Sequence, residues 1–148
     1  MVRLFSAVAL LPLVVGVVWF LPSLATLLLV AIVALLAFSE YRSLASGFGA
    51  SLFRGVTVIG TLAMVVAVFY DMSVVVLVCV SLVLASASLA SGRGGSKMLL
   101  DIASSLFAVL YLGLPLGTLA AIHVLVGREA VLLLLATVMV SDTAQYYG

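Results

Sequence analysis

Long apolar runs alternate with short polar breaks along the whole chain, and several runs are long enough to cross a lipid bilayer, which takes about 20 residues as a helix. Six runs stand out: Leu4–Phe20, Ser23–Phe38, Val56–Tyr70, Ser73–Ser91, Leu99–Val126 and Ala130–Gly148. Each is expected to be helical. The bilayer core offers no water to backbone N–H and C=O groups, and an open strand cannot satisfy its own. The Val-rich stretches Val74–Val76 and Val138–Val140 would favour strand in water, a preference the lipid overrides. The expected fold is an all-α integral membrane protein of about six transmembrane helices with short loops. No repeat or soluble linker divides it, so residues 1–148 are read as a single transmembrane helical region.

Composition narrows the functional classes. Hydrophobic residues make up 67% of the 148 residues and charged residues 7%, against about 45–50% and about 25% in a soluble domain. A water-soluble globule and a disordered chain are both excluded. A net charge of +1 gives no electrostatic footprint for nucleic acid. The single cysteine, Cys79, lies in an apolar run with neither a disulfide partner nor zinc-type spacing.

Arg3 before an apolar run, with Ser23-Leu24-Ala25 after it, has the outline of a secretory signal. The next segment is again hydrophobic rather than a polar domain, so the first span is expected to be retained. With the N-terminus inside, Arg3, Arg42, Arg54, Arg93 and Lys97 fall on the inner side and Arg128 alone on the outer side. Basic residues stay cytoplasmic. The expectation is a multi-pass protein of the cell inner (plasma) membrane with a cytoplasmic N-terminus, and six spans return the C-terminal end to the cytoplasm.

The most informative segment runs from Val138 to Gly148, where the apolar run Val131–Val140 ends in the polar cluster Ser141-Asp142-Thr143-Ala144-Gln145-Tyr146-Tyr147. On a helix Asp142, Gln145 and Tyr146 share a face, being spaced i, i+3, i+4. A carboxylate near membrane depth is costly unless paired, cation-bound or hydrated, which makes Asp142 a functional candidate. On the inner side it could hold a divalent cation for phosphate chemistry. The plainer reading is a helix end reaching the headgroups, with Tyr146 and Tyr147 as interfacial anchors.

Other polar residues have plainer readings. Glu40 and Arg42 follow the second span and could orient a lipid phosphate, though such residues are ordinarily anchors that snorkel. Ser91-Gly92-Arg93-Gly94-Gly95-Ser96-Lys97 lacks the Gly-Lys-Ser/Thr order of a phosphate-cradling loop and follows no strand, so it reads as a cytoplasmic connection. Lys97 and Asp101 are one turn apart, a spacing for a weak pair. Gly113 and Gly117 flank Pro115 and read as a kink or close-packing site. His123 reads as interfacial, and Asp71 as the cap of the fourth span.

Four short segments, in order, resemble a known family, the phosphatidate cytidylyltransferases or CDP-diacylglycerol synthases. Arg3-Leu4-Phe5-Ser6-Ala7 through Leu11-Pro12-Leu13-Val14 looks like the family's opening span. Ser39-Glu40-Tyr41-Arg42-Ser43-Leu44-Ala45 is similar to its W-E-Y-x-x-L-A segment. Tyr111-Leu112-Gly113-Leu114-Pro115-Leu116 resembles its Y-x-x-L-P-L segment. Val140-Ser141-Asp142-Thr143-Ala144-Gln145-Tyr146 resembles its W/V-x-x-D-T/S-x-A-Y segment, with Gln145 where a small residue is common.

The resemblance implies transfer of a cytidylyl group from CTP to phosphatidate, giving CDP-diacylglycerol and pyrophosphate. It implies Mg²⁺ as cofactor, the lipid bilayer as partner, and leaves room for a homodimer. Asp142 is then expected as a catalytic and metal-ligating residue, with Thr143 and Tyr146 as substrate-binding hydrogen-bond donors. The family continues with a Gly/Arg turn, a Ser-Pro-x-Lys-Thr loop and a Lys/Asp/Gly-rich signature, none of which occurs here. Residues 1–148 are thus expected to be the N-terminal part of a longer polytopic enzyme and inactive alone. Two alternatives stand beside this one: a non-catalytic subunit or transporter component, and a related CTP-dependent polyprenol kinase. The near absence of mid-membrane charge speaks against an ion-coupled carrier.

Overall fold

The computed structural model describes residue 12 and residues 14–92 and 95–147, apart from the side chains of Thr143, Tyr146 and Tyr147. The described residues are helical with short connections and contain no strand. Helix α1 covers residues 14–20. It is followed by α2 (Ser23–Gly47), α3 (Arg54–Phe69), α4 (Ser73–Ala90), α5 (Ser96–Ala108), a π-helical turn (Val109–Gly113), α6 (Leu114–Leu125) and α7 (Arg128–Tyr147). Most of the opening-span resemblance, including Arg3, lies outside the described residues, as does Arg93.

Three helical stretches are long and apolar enough to cross a membrane: Ser23–Gly47, Ser73–Ala90 and the continuous Ser96–Leu125. These fit a membrane protein. Helix α3 has 16 residues, about 24 Å at 1.5 Å per residue, which falls short of a bilayer core of about 30 Å. Thr57, Gly60, Thr61, Met64, Val65 and Ala67 are all buried, and α3 packs on α2, α4 and α6 together. Its other face, with Ile59 and Val66, is exposed, so protein covers only part of this helix.

The first expected boundary to move is the end of the second span. The polar stretch after Phe38 does not end the helix, which runs on to Gly47. Its 25 residues give about 37 Å, longer than a bilayer core of about 30 Å. Polarity changes at Ser39, whereas the helix ends where glycine permits it. Gly49 takes φ +81; its N–H bonds the Ser46 carbonyl, and the Ala50 N–H bonds the Ala45 carbonyl. This is the paired closure of a helix with a left-handed residue after its last turn.

Asp71 corrects another expectation. It does not cap α4, whose N-cap position is Met72 with no side-chain hydrogen bond. Instead Asp71 has φ 58 and closes the end of α3, its N–H bonding Val68 and the Met72 N–H bonding Ala67. Asp tolerates the left-handed region better than most residues.

The expected kink near Pro115 is a π-helical turn. Proline has no N–H for the carbonyl four residues back, that of Tyr111, and the ladder widens over Val109–Gly113 before resuming as α6. Close packing at the two glycines is also present. A Cβ on Gly113 would lie 2.7 Å from the Met64 Cβ, and one on Gly117 would lie 2.8 Å from the Val68 Cβ and 3.0 Å from the Val65 carbonyl oxygen. The two glycines therefore let the π turn and α6 lie almost backbone to backbone on α3. Around this contact sit Val30, Ala34, Val65 and Ala120 in one buried cluster, and Met64, Val80, Leu84 and Val109 in another.

Candidate functional site

The loop from Phe48 to Phe53, between α2 and α3, buries Ala50 and sets Leu52 and Phe53 against the core. It is stapled to α5 by a carboxylate. Asp101 is 0% exposed; its Oδ1 accepts the Ser51 backbone N–H at 2.7 Å, and its Oδ2 accepts the Ser51 hydroxyl at 2.8 Å. One turn further on, the Ser105 hydroxyl accepts the Phe53 N–H at 3.4 Å. Asp101 and Ser105 project from one face of α5, four residues apart. Hydrogen bonds to an ionised group are the stronger kind, and a carboxylate at this depth needs them. From the sequence, Asp101 is only a minor candidate beside Lys97. The signal that could have found it is an acid set among Leu99, Leu100, Ile102 and Ala103 with a serine at i+4. Lys97 itself is exposed.

A second constellation brings together two of the segments that carry the family resemblance. Tyr41 of α2 donates its hydroxyl to the Ser104 carbonyl of α5 at 2.8 Å. Its ring lies 6.2 Å from that of Phe107, and Phe107 stacks on Tyr111 at 5.2 Å with 12° between the ring planes. The aromatic series thus joins the Glu40-Tyr41-Arg42 segment to the Tyr111–Leu116 segment across the α2–α5 seam. Beside it opens a cleft of 460 Å³ lined by Tyr41, Leu44, Ala45, Phe48, Leu100 and Ser104. Glu40 and Arg42 are both exposed at the same end of α2. Tyr41→Phe keeps the ring contacts and loses one hydrogen bond, worth about 1 kcal/mol. We expect a small fall in melting temperature of the detergent-purified protein, read by scanning fluorimetry, and a larger fall for Tyr41→Ala.

Asp142 sits apart from both constellations. Among the described side chains of α7 only Val131 is buried, and every one from Ala136 onward is exposed, Asp142 included. The helix packs chiefly on α6. The Gln145 side-chain amide lies 3.5 Å from the Ser141 hydroxyl, one turn before it. The side chains of Thr143 and Tyr146, expected to bind substrate, lie outside the described residues. No group of three or more His, Cys, Asp or Glu side chains that could hold a metal ion occurs among the described residues.

The opposite end of the bundle is tied by different chemistry. His123 is half-buried and shares a 2.7 Å hydrogen bond with the Thr26 hydroxyl through Nδ1, so its ring is held between α2 and α6 in addition to lying near the end of its helix. Arg128 donates to the Trp19 carbonyl at 3.2 Å and stacks over the indole at 4.6 Å. These contacts fasten the α1–α2 corner to the α6–α7 corner. They resemble interfacial anchoring rather than a reaction centre.

Comparison with curated proteins and with solved structures returns no match. The full stretch of residues 1–148 matches the cytidylyltransferase family; the chain therefore belongs to that family, and with it to the enzymes that use CTP in a transfer reaction.

Proposed function

We propose that the protein acts in the transfer of a cytidylyl group from CTP to phosphatidate. A phosphate oxygen of phosphatidate attacks the α-phosphorus of CTP, the bond from that phosphorus to the oxygen bridging the α- and β-phosphates breaks, and pyrophosphate leaves. The products are CDP-diacylglycerol and pyrophosphate. Family membership supports the CTP half of this reaction. The observation that best supports the lipid half is the α2–α5 seam, where Phe107 links Tyr41 of one resembling segment to Tyr111 of another. An enzyme joining a bilayer lipid to a cytosolic nucleotide needs apolar and polar surface side by side, and the seam sets a largely apolar cleft beside the exposed Glu40 and Arg42. Phosphoryl-group transfer rests largely on positioning and charge neutralisation.

The family resemblance brings Mg²⁺ with it, which when bound would neutralise phosphate charge. Asp142 can contribute one oxygen ligand. Such an ion takes about six oxygens, one or two from carboxylates and the rest from water and phosphates, and the described residues build no closed cage for it. What this chain supplies in the reading is placement: Asp142, with Thr143 and Tyr146 beside it, at the end of α7, and the ordered loop held by Asp101. The setting is the cytoplasmic face of the inner membrane.

The test uses the full-length protein in vesicles containing phosphatidate, with CTP labelled either in its α- or its γ-phosphate. Label from the α-position in lipid, with none from the γ-position, is the expected result. Label from the γ-position on a polyprenol acceptor would replace this reading with a CTP-dependent kinase, and no lipid label from either would leave a non-catalytic membrane subunit. Asp142→Asn is expected to lower turnover at least about tenfold, equivalent to about 1.4 kcal/mol of barrier. Wild-type turnover in that variant removes Asp142 from the reaction.

A further inference from the structure

We propose that a buried water molecule joins α4 to α5, bound between the Ser88 hydroxyl and the polar face formed by Asp101 and Ser105. Ser88 is 0% exposed, and its hydroxyl meets no hydrogen-bond partner among the described residues. Its neighbours behave otherwise. Ser81 donates to the Leu77 carbonyl at 2.7 Å, Ser86 to the Val83 carbonyl at 2.9 Å and Ser91, just past the helix, to the Ser88 carbonyl at 2.7 Å. Each of them is satisfied by the preceding turn, whereas the Ser88 hydroxyl is turned away from that solution. A hydroxyl buried without a partner is costly, so it points to a polar group that the side chains around it do not supply.

The packing of three helices fixes what stands opposite. Helix α4 packs on α3 and α5 and joins each through a short connection, so it runs antiparallel to both. A Cβ on Gly60 of α3 would lie 3.1 Å from Val80 of α4 and 3.2 Å from Val109 of the π turn, which sets these three residues at one level. From Val80 the buried positions of α4 continue through Leu84 to Ser88, four residues at a time. From Val109 the buried positions lead back along α5 through Ser105 to Asp101, again four at a time. Two such steps are about 12 Å on either helix, which brings Ser88 level with Asp101. On α3 the same depth is reached at Phe53, whose N–H bonds the Ser105 hydroxyl at 3.4 Å.

The chemistry at that level suits one water. Asp101 and Ser105 are both 0% exposed. The Asp101 carboxylate takes the Ser51 N–H and hydroxyl, and a carboxylate offers about four acceptor sites in all. The Ser105 hydroxyl accepts from Phe53 and has its own proton to give. A water that accepts the Ser88 and Ser105 protons and donates to an Asp101 oxygen makes about three hydrogen bonds, the usual number for a buried water. A bound cation would leave both hydroxyl protons without an acceptor. The other buried residues of α4 are Val80 and Leu84, so this water is the polar tie between α4 and the end of the bundle that holds the Phe48–Phe53 loop. The inference goes beyond the transfer reaction and does not depend on it.

The test uses the full-length protein in phosphatidylcholine nanodiscs. X-ray radiolysis turns a bound water into a hydroxyl radical that oxidises the side chains beside it, and mass spectrometry locates the product. Leu84, 0% exposed and one turn from Ser88, is expected to be oxidised, while Val65, equally buried in another cluster, is not. Ser88→Ala is expected to remove the Leu84 oxidation and to lower the melting temperature by about 2–4 °C, the loss of about one hydrogen bond. Ser105→Ala should lower it less in the Ser88→Ala background than in the wild type, because both hydroxyls act through the same water. A Ser88→Ala protein that melts as high as the wild type or higher would show that the hydroxyl holds nothing. Additive losses would show that the two serines share no ligand, and Leu84 protected like Val65 would show a dry site. A melting temperature that rises when Na⁺ replaces choline in wild type but not in Ser88→Ala would put a cation there. Each of these four results overturns the proposal.

Discussion

Gly117→Leu is expected to abolish the folded bundle, measured as loss of the monodisperse peak when the protein is extracted in mild detergent. The reason is geometric. The atoms nearest a Cβ at this position are the Val68 Cβ at 2.8 Å and the Val65 carbonyl oxygen and Cα at 3.0 and 3.1 Å. Two of these are backbone, which cannot rotate aside as a long side chain would. A side chain here must push α6 away from α3, the helix that holds the centre of the molecule. Gly117→Ala is the graded version: one methyl forces a shift of a few tenths of an ångström, and overpacking of this kind costs about 1–3 kcal/mol. A chain of this length loses about 2–4 °C of melting temperature per kcal/mol, so the alanine variant should melt lower but remain folded. Gly113→Ala should behave similarly, since its Cβ would meet Met64 at 2.7 and 2.8 Å and the Thr61 carbonyl at 3.2 Å. Gly55 is the control. It lies in the first turn of α3 with nothing within 4 Å of a Cβ, and Gly55→Ala should be neutral or raise stability through helix propensity. Equal losses at Gly55 and Gly117 would show that the effect is not one of helix approach.

Much of this architecture is legible in the amino-acid order because the membrane simplifies the problem. An apolar run in lipid has one good solution, and the helices do lie where such runs lie. The Gly113–Pro115–Gly117 pattern announces both a break in the hydrogen-bond ladder and a close approach, and both are present. Boundaries are harder to read, because polarity and helicity end at different places. Polar residues begin at Ser39, yet nothing between it and Gly47 stops a helix. Asp71 is legible as a residue at a helix end but not as belonging to the end of α3 rather than the start of α4, since that depends on a positive φ. The least legible features are long-range pairs. Tyr41 reaches a carbonyl 63 residues away, and Asp101 is engaged by a loop residue 50 positions earlier; neither partner has a local signature. Asp142 shows the converse. Its helical face with Gln145 comes from spacing alone, but what that face meets depends on neighbours that the spacing of α7 does not name.

Asp101→Ala should produce the second large effect, and its form separates a structural acid from a reacting one. The substitution leaves the Ser51 N–H and hydroxyl without the two carboxylate oxygens they now engage at 2.7 and 2.8 Å. Hydrogen bonds to a charged group contribute about 1.5–3 kcal/mol each, and because both involve the same two residues they will not add in full. A loss of about 2–4 kcal/mol is expected, and the freed loop between Phe48 and Phe53 should become a site of limited proteolysis. Asp101→Asn keeps one acceptor but turns an amide donor towards a donor, so it should fall between wild type and alanine. Ser51→Ala keeps the backbone bond to Oδ1 and should be the mildest of the three. In the double variant Asp101→Ala/Ser51→Ala the losses should fall short of their sum, which isolates the coupling between the pair. Transfer activity should track loop order across this series, because the loop joins α2, which carries Tyr41 and the cleft, to the central helix α3. An Asp101→Ala protein that melts like wild type, resists cleavage at the loop and yet transfers no cytidylyl group would place this carboxylate on the substrate. The reacting end of the chain would then be α5 rather than the tip of α7.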